Sequence, residues 1–296
     1  MSSTPNSLNA LLWLLIAAYL IQSGVSPMLG PGLQRFTPLV SILILTGFSV
    51  AHGIPRYGVK HLLFFFVLTF AISWGYETLS IETGFPFGHY YYTGMLGPKL
   101  GQVPLLIMPA YFSVGYLAWT LAHVLLDRFD DRLRGGDLVL IPVLAAFVMV
   151  MWDLCMDPIN STVRRAWVWR DGGAYFGVPI VNFLGWYLCI YSVYQAFALY
   201  LRSMDARERP PHPGEHATWS IPAYMYGAVM LNSFVPAVLG DNVQVTSRDG
   251  HVWWTGDIHS AMALIAIFTM LFFTLLALVR VHRSLGASRL DGGDTD

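Results

Sequence analysis

The sequence predicts an all-α, polytopic integral membrane protein, with about eight transmembrane helices kinked around an intramembrane pocket. Three observations predict it. Of the 296 residues, 55% are hydrophobic and only 12% charged, where a soluble domain carries about 25% charged residues, and the mean hydropathy is +0.53. Eight apolar runs approach the roughly 20 residues that a helix needs to cross a bilayer. Prolines fall within or at the ends of these runs, at Pro104, Pro109, Pro142, Pro179, Pro222 and Pro236, a pattern that membrane helices tolerate when neighbours satisfy the freed carbonyls.

The runs lie near 9–26, 37–53, 60–78, 103–126, 138–156, 179–201, 219–240 and 258–281. Met1 to Asn9 lacks the Lys or Arg that opens a secretory signal, so the run from Ala10 is expected to be a retained first span. The second run is short and is interrupted by Gly47 and Gly53. Glu77 closes the third run, one turn after Ser73 and Trp74. The fifth ends in Trp152-Asp153-Leu154-Cys155-Met156-Asp157-Pro158, where Pro158 is expected to end the helix or turn the chain. Asn182 stands near the start of the sixth run, as a helix cap or as a neutral group able to position water. Before the eighth, Trp253-Trp254-Thr255-Gly256-Asp257 makes Asp257 the expected N-cap. No repeat or low-complexity block appears, so one helical membrane domain over 1–296 is expected, with short polar ends at about 1–8 and 284–296.

A formal charge of -1 and the absence of a long basic run exclude a nucleic-acid footprint. Cys155 and Cys189 sit in apolar stretches without a zinc or redox spacing and read as buried small hydrophobes. His52, His61, His89, His123 and His259 are dispersed, so no metal centre is expected. Asp127, Asp130 and Asp131 faintly resemble an aspartate-rich magnesium site. They alternate with Arg128, Arg132 and Arg134, and a solvated charged turn fits them better. Eleven of the 17 Lys and Arg fall on the side of the termini: Arg56, Lys60, Arg128, Arg132, Arg134, Arg202, Arg207, Arg209, Arg280, Arg283 and Arg289. The expected location is therefore the cell membrane, multi-pass, with cytoplasmic termini.

With that parity, the connections after the third, fifth and seventh runs share the opposite face. They carry Glu77 and Glu82, Asp153 and Asp157, and Asp241 and Asp257. A carboxylate at membrane depth is a functional candidate by default. Asp153 and Asp157 are four residues apart, hence on one helix face, and two such carboxylates repel when both are ionised, so one is expected to hold a proton. Glu77 meets the negative end of its helix dipole, which again favours the protonated acid. Glu82 reads equally well as a solvated loop residue. A held proton is what general acid catalysis requires. Around these residues, Phe85, Phe87, Tyr90 and Tyr92, then Trp152, Trp167, Trp169, Tyr175 and Trp186, form either an interfacial aromatic belt or a lid over a pocket whose ring faces stabilise a cation.

At these blocks the sequence resembles the integral-membrane carotenoid hydratases, a family that includes bisanhydrobacterioruberin hydratase and the bacterial enzymes hydrating acyclic carotene ends. The resemblance rests on Glu77, Thr83 to Gly88, Tyr90, Tyr92, Leu96-Gly97-Pro98, Val103-Pro104, Trp152-Asp153, Asp157-Pro158, Trp167, Trp169, Gly177, Pro179 and Asn182 to Trp186. It covers the central third to half of the chain. The family pattern favours Trp where this chain has Tyr111. The resemblance implies a cofactor-independent hydro-lyase of carotenoid biosynthesis that adds water across a terminal isoprenoid double bond to give a tertiary alcohol. Its expected partners are the hydrophobic carotenoid, water, the bilayer and other enzymes of the pathway. In that reading Asp153 is the acid, Asp157 or Glu77 assists it, and Asn182 or Glu77 orients water. Trp74, Phe85, Phe87, Tyr90, Tyr92, Trp152, Trp167, Trp169 and Trp186 contact the substrate. Two readings compete: a carotenoid cyclase, in which an internal double bond captures the cation, and a proton-coupled transporter that uses the carboxylates as a relay.

Overall fold

The computed structural model describes residues 4–129, 133, 135–204 and 216–291. Helices dominate it: α1 (Thr4–Val25), the single turn α2 (Pro31–Gln34), α3 (Thr37–Thr83), α4 (Ile107–Leu125), α5 (Asp137–Pro158), α6 (Ile180–Met204), α7 (Ile221–Val229), α8 (Leu231–Leu239), α9 (Thr255–Ala266) and α10 (Phe272–Asp291). Three small antiparallel ribbons pair β1 (Tyr90–Tyr92) with β4 (Trp167–Trp169), β2 (Lys99–Leu100) with β3 (Val103–Pro104), and β5 (Gln244–Thr246) with β6 (Val252–Trp254). Among the described residues, six helical stretches are long and apolar enough to cross a membrane: Ser7–Met28, Gly32–Thr83, Asp137–Val163, Ile180–Met204, Thr218–Leu239 and Thr255–Ser284.

The expected second and third runs both lie within Gly32–Thr83, and the break between them is Gly58, at φ 75 and ψ 161. Glycine adopts that conformation without a Cβ penalty. The chain reverses there. Before the break, Thr46, His52 and Arg56 step along α4 by bonding Ser113, Tyr116 and Thr120. After it, Phe65 packs back on Phe112. The expected fourth run is α4, buried along nearly its whole length.

Pro158 does not end its helix. α5 continues into a π-helical turn, Ile159–Val163. A proline has no N–H for the carbonyl four residues back, and here the Leu154 carbonyl accepts the Tyr175 hydroxyl at 3.0 Å instead. Pro142 is accommodated in the same way, the Leu138 carbonyl accepting Gln195 Nε2 at 3.1 Å. Asp257 is not an N-cap: α9 begins at Thr255, and the Thr255 hydroxyl donates to the Asp241 carbonyl at 2.6 Å. The exposed Glu82 lies on the last helical turn of α3 rather than in a loop. Of the charged turn, Asp127 pairs with Arg280 and Asp137 with Arg128, each at 2.7 Å. Asp130, Asp131, Arg132 and Arg134, like Arg207 and Arg209, lie outside the described residues.

The three connections expected on one face do meet. The Thr93 hydroxyl donates to the Arg165 carbonyl at 3.0 Å, and the Arg165 guanidinium reaches the Thr246 carbonyl at 3.4 Å.

Candidate active site

The site begins where α3 ends. Gly84, at φ 80, caps the helix through its N–H to the Ser80 carbonyl, the left-handed stop that glycine favours. The Ser80 hydroxyl accepts the Phe87 N–H at 3.1 Å and donates to the Gly88 carbonyl at 3.0 Å, which folds the Phe85-Pro86-Phe87 turn back over the helix. Gly185 of α6 lets that turn approach, because a Cβ there would lie 2.6 Å from the Pro86 carbonyl oxygen and 2.8 Å from Phe87.

The chain then enters the β1 and β4 ribbon, with Tyr90 opposite Trp169 and Tyr92 opposite Trp167. Strand side chains alternate between faces, so these four rings share the inner face while Tyr91 points outward. Their polar edges carry the site. Glu77 Oε2 accepts the hydroxyls of Tyr90 and Tyr92, the latter at 2.9 Å, and Oε1 accepts that of Tyr111 at 2.8 Å. Asp157 Oδ1 accepts the indole N–H groups of Trp167 and Trp169 at 3.0 and 3.3 Å. Burial first, and the Glu77 carboxyl second, hold the Tyr90 and Tyr92 phenols well above their ordinary range, so both remain protonated donors.

One turn below Asp157, Asp153 is fully buried. Asn182, on the first turn of α6, joins the two aspartates: its Nδ2 donates to Asp153 Oδ2 at 3.0 Å and to Asp157 Oδ2 at 2.8 Å. Both amide hydrogens are thereby used, and the side chain bonds across helices rather than capping its own. Asp153 Oδ1 is buried without a partner among the described residues. Glu77 thus takes three donors and Asp157 three, while Asp153 keeps an oxygen able to carry a proton without displacing a bond.

Glu77, Asp157 and Asn182 line a cavity of about 30 Å³, room for one or two water molecules. Phe87, Tyr90, Tyr92, Trp152, Trp167, Trp169 and Trp186 line it too. Tyr111 stacks on Trp186 at 4.4 Å and 3° between planes, and Trp152 meets Trp186 edge-on at 5.9 Å. Three expected residues stand apart. Asp153 reaches the cavity only through Asn182. Trp74 is half-buried and donates its indole N–H to the Leu100 carbonyl at 3.1 Å. Phe85 is 58% exposed, turned away because the alternation of the Phe-Pro-Phe turn gives the inner place to Phe87. Asp241 and Asp257 do not join the site either. Sequence reasoning missed Tyr111 as a partner of Glu77, a contact between residues 34 apart that leaves no local signal. It also missed the pairing of the two aromatic blocks, for which Tyr-x-Tyr and Trp-x-Trp were the available two-residue period.

Fold and site together define a class: a helical membrane protein that buries three carboxyls and one amide beneath an aromatic ribbon. The chain belongs to the carotenoid biosynthesis protein family, whose model matches residues 36–246. It is similar to the bisanhydrobacterioruberin hydratase of Haloarcula japonica, 32% identical over 117 residues, a segment that covers 39% of this chain and 38% of that protein. No solved structure matches the chain.

Proposed function

We propose that the protein is a carotenoid hydratase, an enzyme adding water across a terminal isoprenoid double bond of an acyclic carotenoid to give a tertiary alcohol. One observation carries this reading. Buried carboxyls, an aromatic wall and room for water adjoin one another in a single cavity, inside a chain of the carotenoid biosynthesis family. The name of the Haloarcula relative supports the reaction class.

In this mechanism the aspartate pair holds one proton, Asn182 donates to both carboxyls and fixes their positions, and Asp157, which faces the cavity, delivers the proton. The π pair of the double bond takes that proton at the less substituted carbon, leaving the positive charge on the tertiary carbon. The aromatic wall of Trp186, Tyr111 and Trp152 stabilises the cation, a ring face that meets it contributing about 0.5 to 2 kcal/mol. A water oxygen bonds to the cation and gives up a proton to Glu77, whose three phenol donors hold it in place. The proton returns to the aspartate pair, so acid and base are both restored. Hydration needs no electron transfer, and no redox cofactor enters the proposal. The bilayer supplies the substrate. In this reading one membrane domain crosses the bilayer eight times, counting both arms of α3 and counting α4, with cytoplasmic termini in the cell membrane.

Expression in cells that accumulate lycopene or another acyclic carotene tests the reading. Products heavier by one or two waters are expected. An unaltered pigment profile across several acyclic carotenes would refute it, and a new product of unchanged mass would indicate cyclisation.

A further inference from the structure

A second cavity, of about 450 Å³, opens on the same face as the ribbons, among the ends of α1, α5 and α8 and the beginnings of α3 and α9. Its polar wall holds Arg35, Arg164, His259 and Asp241, and its apolar wall includes Ile159 and Val163 of the π-helical turn. Two arginines and one aspartate therefore line the cavity. Among the described residues neither arginine has a carboxylate partner: Arg35 lies over the Phe36 ring and Arg164 reaches only the Asn160 side-chain oxygen, at 3.4 Å. His259 is 6% exposed, and its Nδ1 has no hydrogen-bond partner among the described residues. That nitrogen lies against Gly240, another lining residue, where a Cβ would approach it to 3.1 Å. A buried ring nitrogen without a partner is the kind of exception that calls for a missing one. Thr37 and Thr255, which open α3 and α9, also line the cavity, and a helix N-terminus favours an anion.

We propose that this cavity binds a phosphate-type anion, and that its source is the headgroup of an anionic lipid. The charge excess and the unpartnered imidazole suit the phosphate oxygens. The apolar wall, set at the level where the helices end, suits the glycerol and first acyl carbons. The proposal stands apart from the hydratase reading, because its readout is binding rather than conversion.

The test uses the full chain, purified and delipidated in a neutral detergent, with the unfolding temperature followed as phosphatidylglycerol, phosphatidylcholine or inorganic phosphate is added. Phosphatidylglycerol is expected to stabilise at roughly tenfold lower concentration than phosphatidylcholine, a ratio that corresponds to about 1.4 kcal/mol. Arg35→Gln and Arg164→Gln should erase that ratio, and Asp241→Asn should enlarge it. These opposite directions separate a binding effect from a general loss of folding. Stabilisation by inorganic phosphate as strong as by the lipid, with the same response to the variants, would support the anion site and assign it a soluble source. Equal stabilisation by the two lipids, or arginine and aspartate variants that shift the ratio in the same direction, would overturn the proposal.

Discussion

The two ends of the helical bundle both bury polar side chains, and they use them differently. Away from the ribbons, the bonds run pairwise between helices: His52 to Tyr116 at 2.6 Å, Arg56 to Thr120 at 2.7 Å, His61 to Tyr200 at 2.9 Å and Trp119 to Tyr57 at 2.9 Å. Beneath the ribbon, donors from four separate segments converge on three carboxyls, and one oxygen of Asp153 has no partner among the described residues. Paired polar groups staple helices whose apolar surfaces alone gain little by leaving lipid. Converging acceptors of one sign strain the same accounting, so they mark the candidate functional site.

The contrast can be broken most sharply at the aspartates. Asp157→Asn and Asp153→Asn are expected to lower conversion of an acyclic carotene by roughly 10³-fold, with similar amounts of folded protein. Full conversion by either variant, measured as product per folded protein, would remove that residue from the proton path. Glu77→Gln keeps the shape of the phenol cluster but weakens its base, and a loss of about 10²-fold is expected. Tyr111→Phe removes one donor to Glu77 while keeping the ring stacked on Trp186. Its expected effect is about tenfold on conversion, in line with the roughly 1.5 to 3 kcal/mol of a hydrogen bond to a charged group reduced by the two phenols that remain. Tyr116→Phe, at the other end, should cost only about 1 kcal/mol of stability. Its conversion per folded protein should be unchanged, and a catalytic defect there would end the distinction between the two layers.

How much was legible beforehand differs between these layers. Glu77, Asp153, Asp157 and Asn182 stand out in the sequence because charge and amide are conspicuous in apolar runs, and the four-residue spacing of the aspartates puts them on one face. The stapling pairs do not stand out: His52 and Tyr116 are 64 residues apart and nothing local links them. Pro158 reads as a helix end from its own chemistry, yet the helix passes through it because Tyr175, 17 residues on in sequence, supplies the missing donor to Leu154. Phe85 and Phe87 look equivalent, and only the turn held by Ser80 turns one inward and the other outward.

By itself the sequence determined that the chain is an apolar helical protein, which buried carboxyls and amide are its candidate site residues and, through the spacing of two blocks, its family. Those are properties of composition and short-range period, which need no knowledge of neighbours. The tertiary structure alone decided that the Tyr and Trp blocks zip into one ribbon, that Tyr111 completes the Glu77 cluster, that Asn182 bridges two aspartates, and that Trp74 and Phe85 fall outside. Each of these depends on which helices pack together and at what register, and side-chain contacts between distant segments are fixed only once the chain has closed on itself.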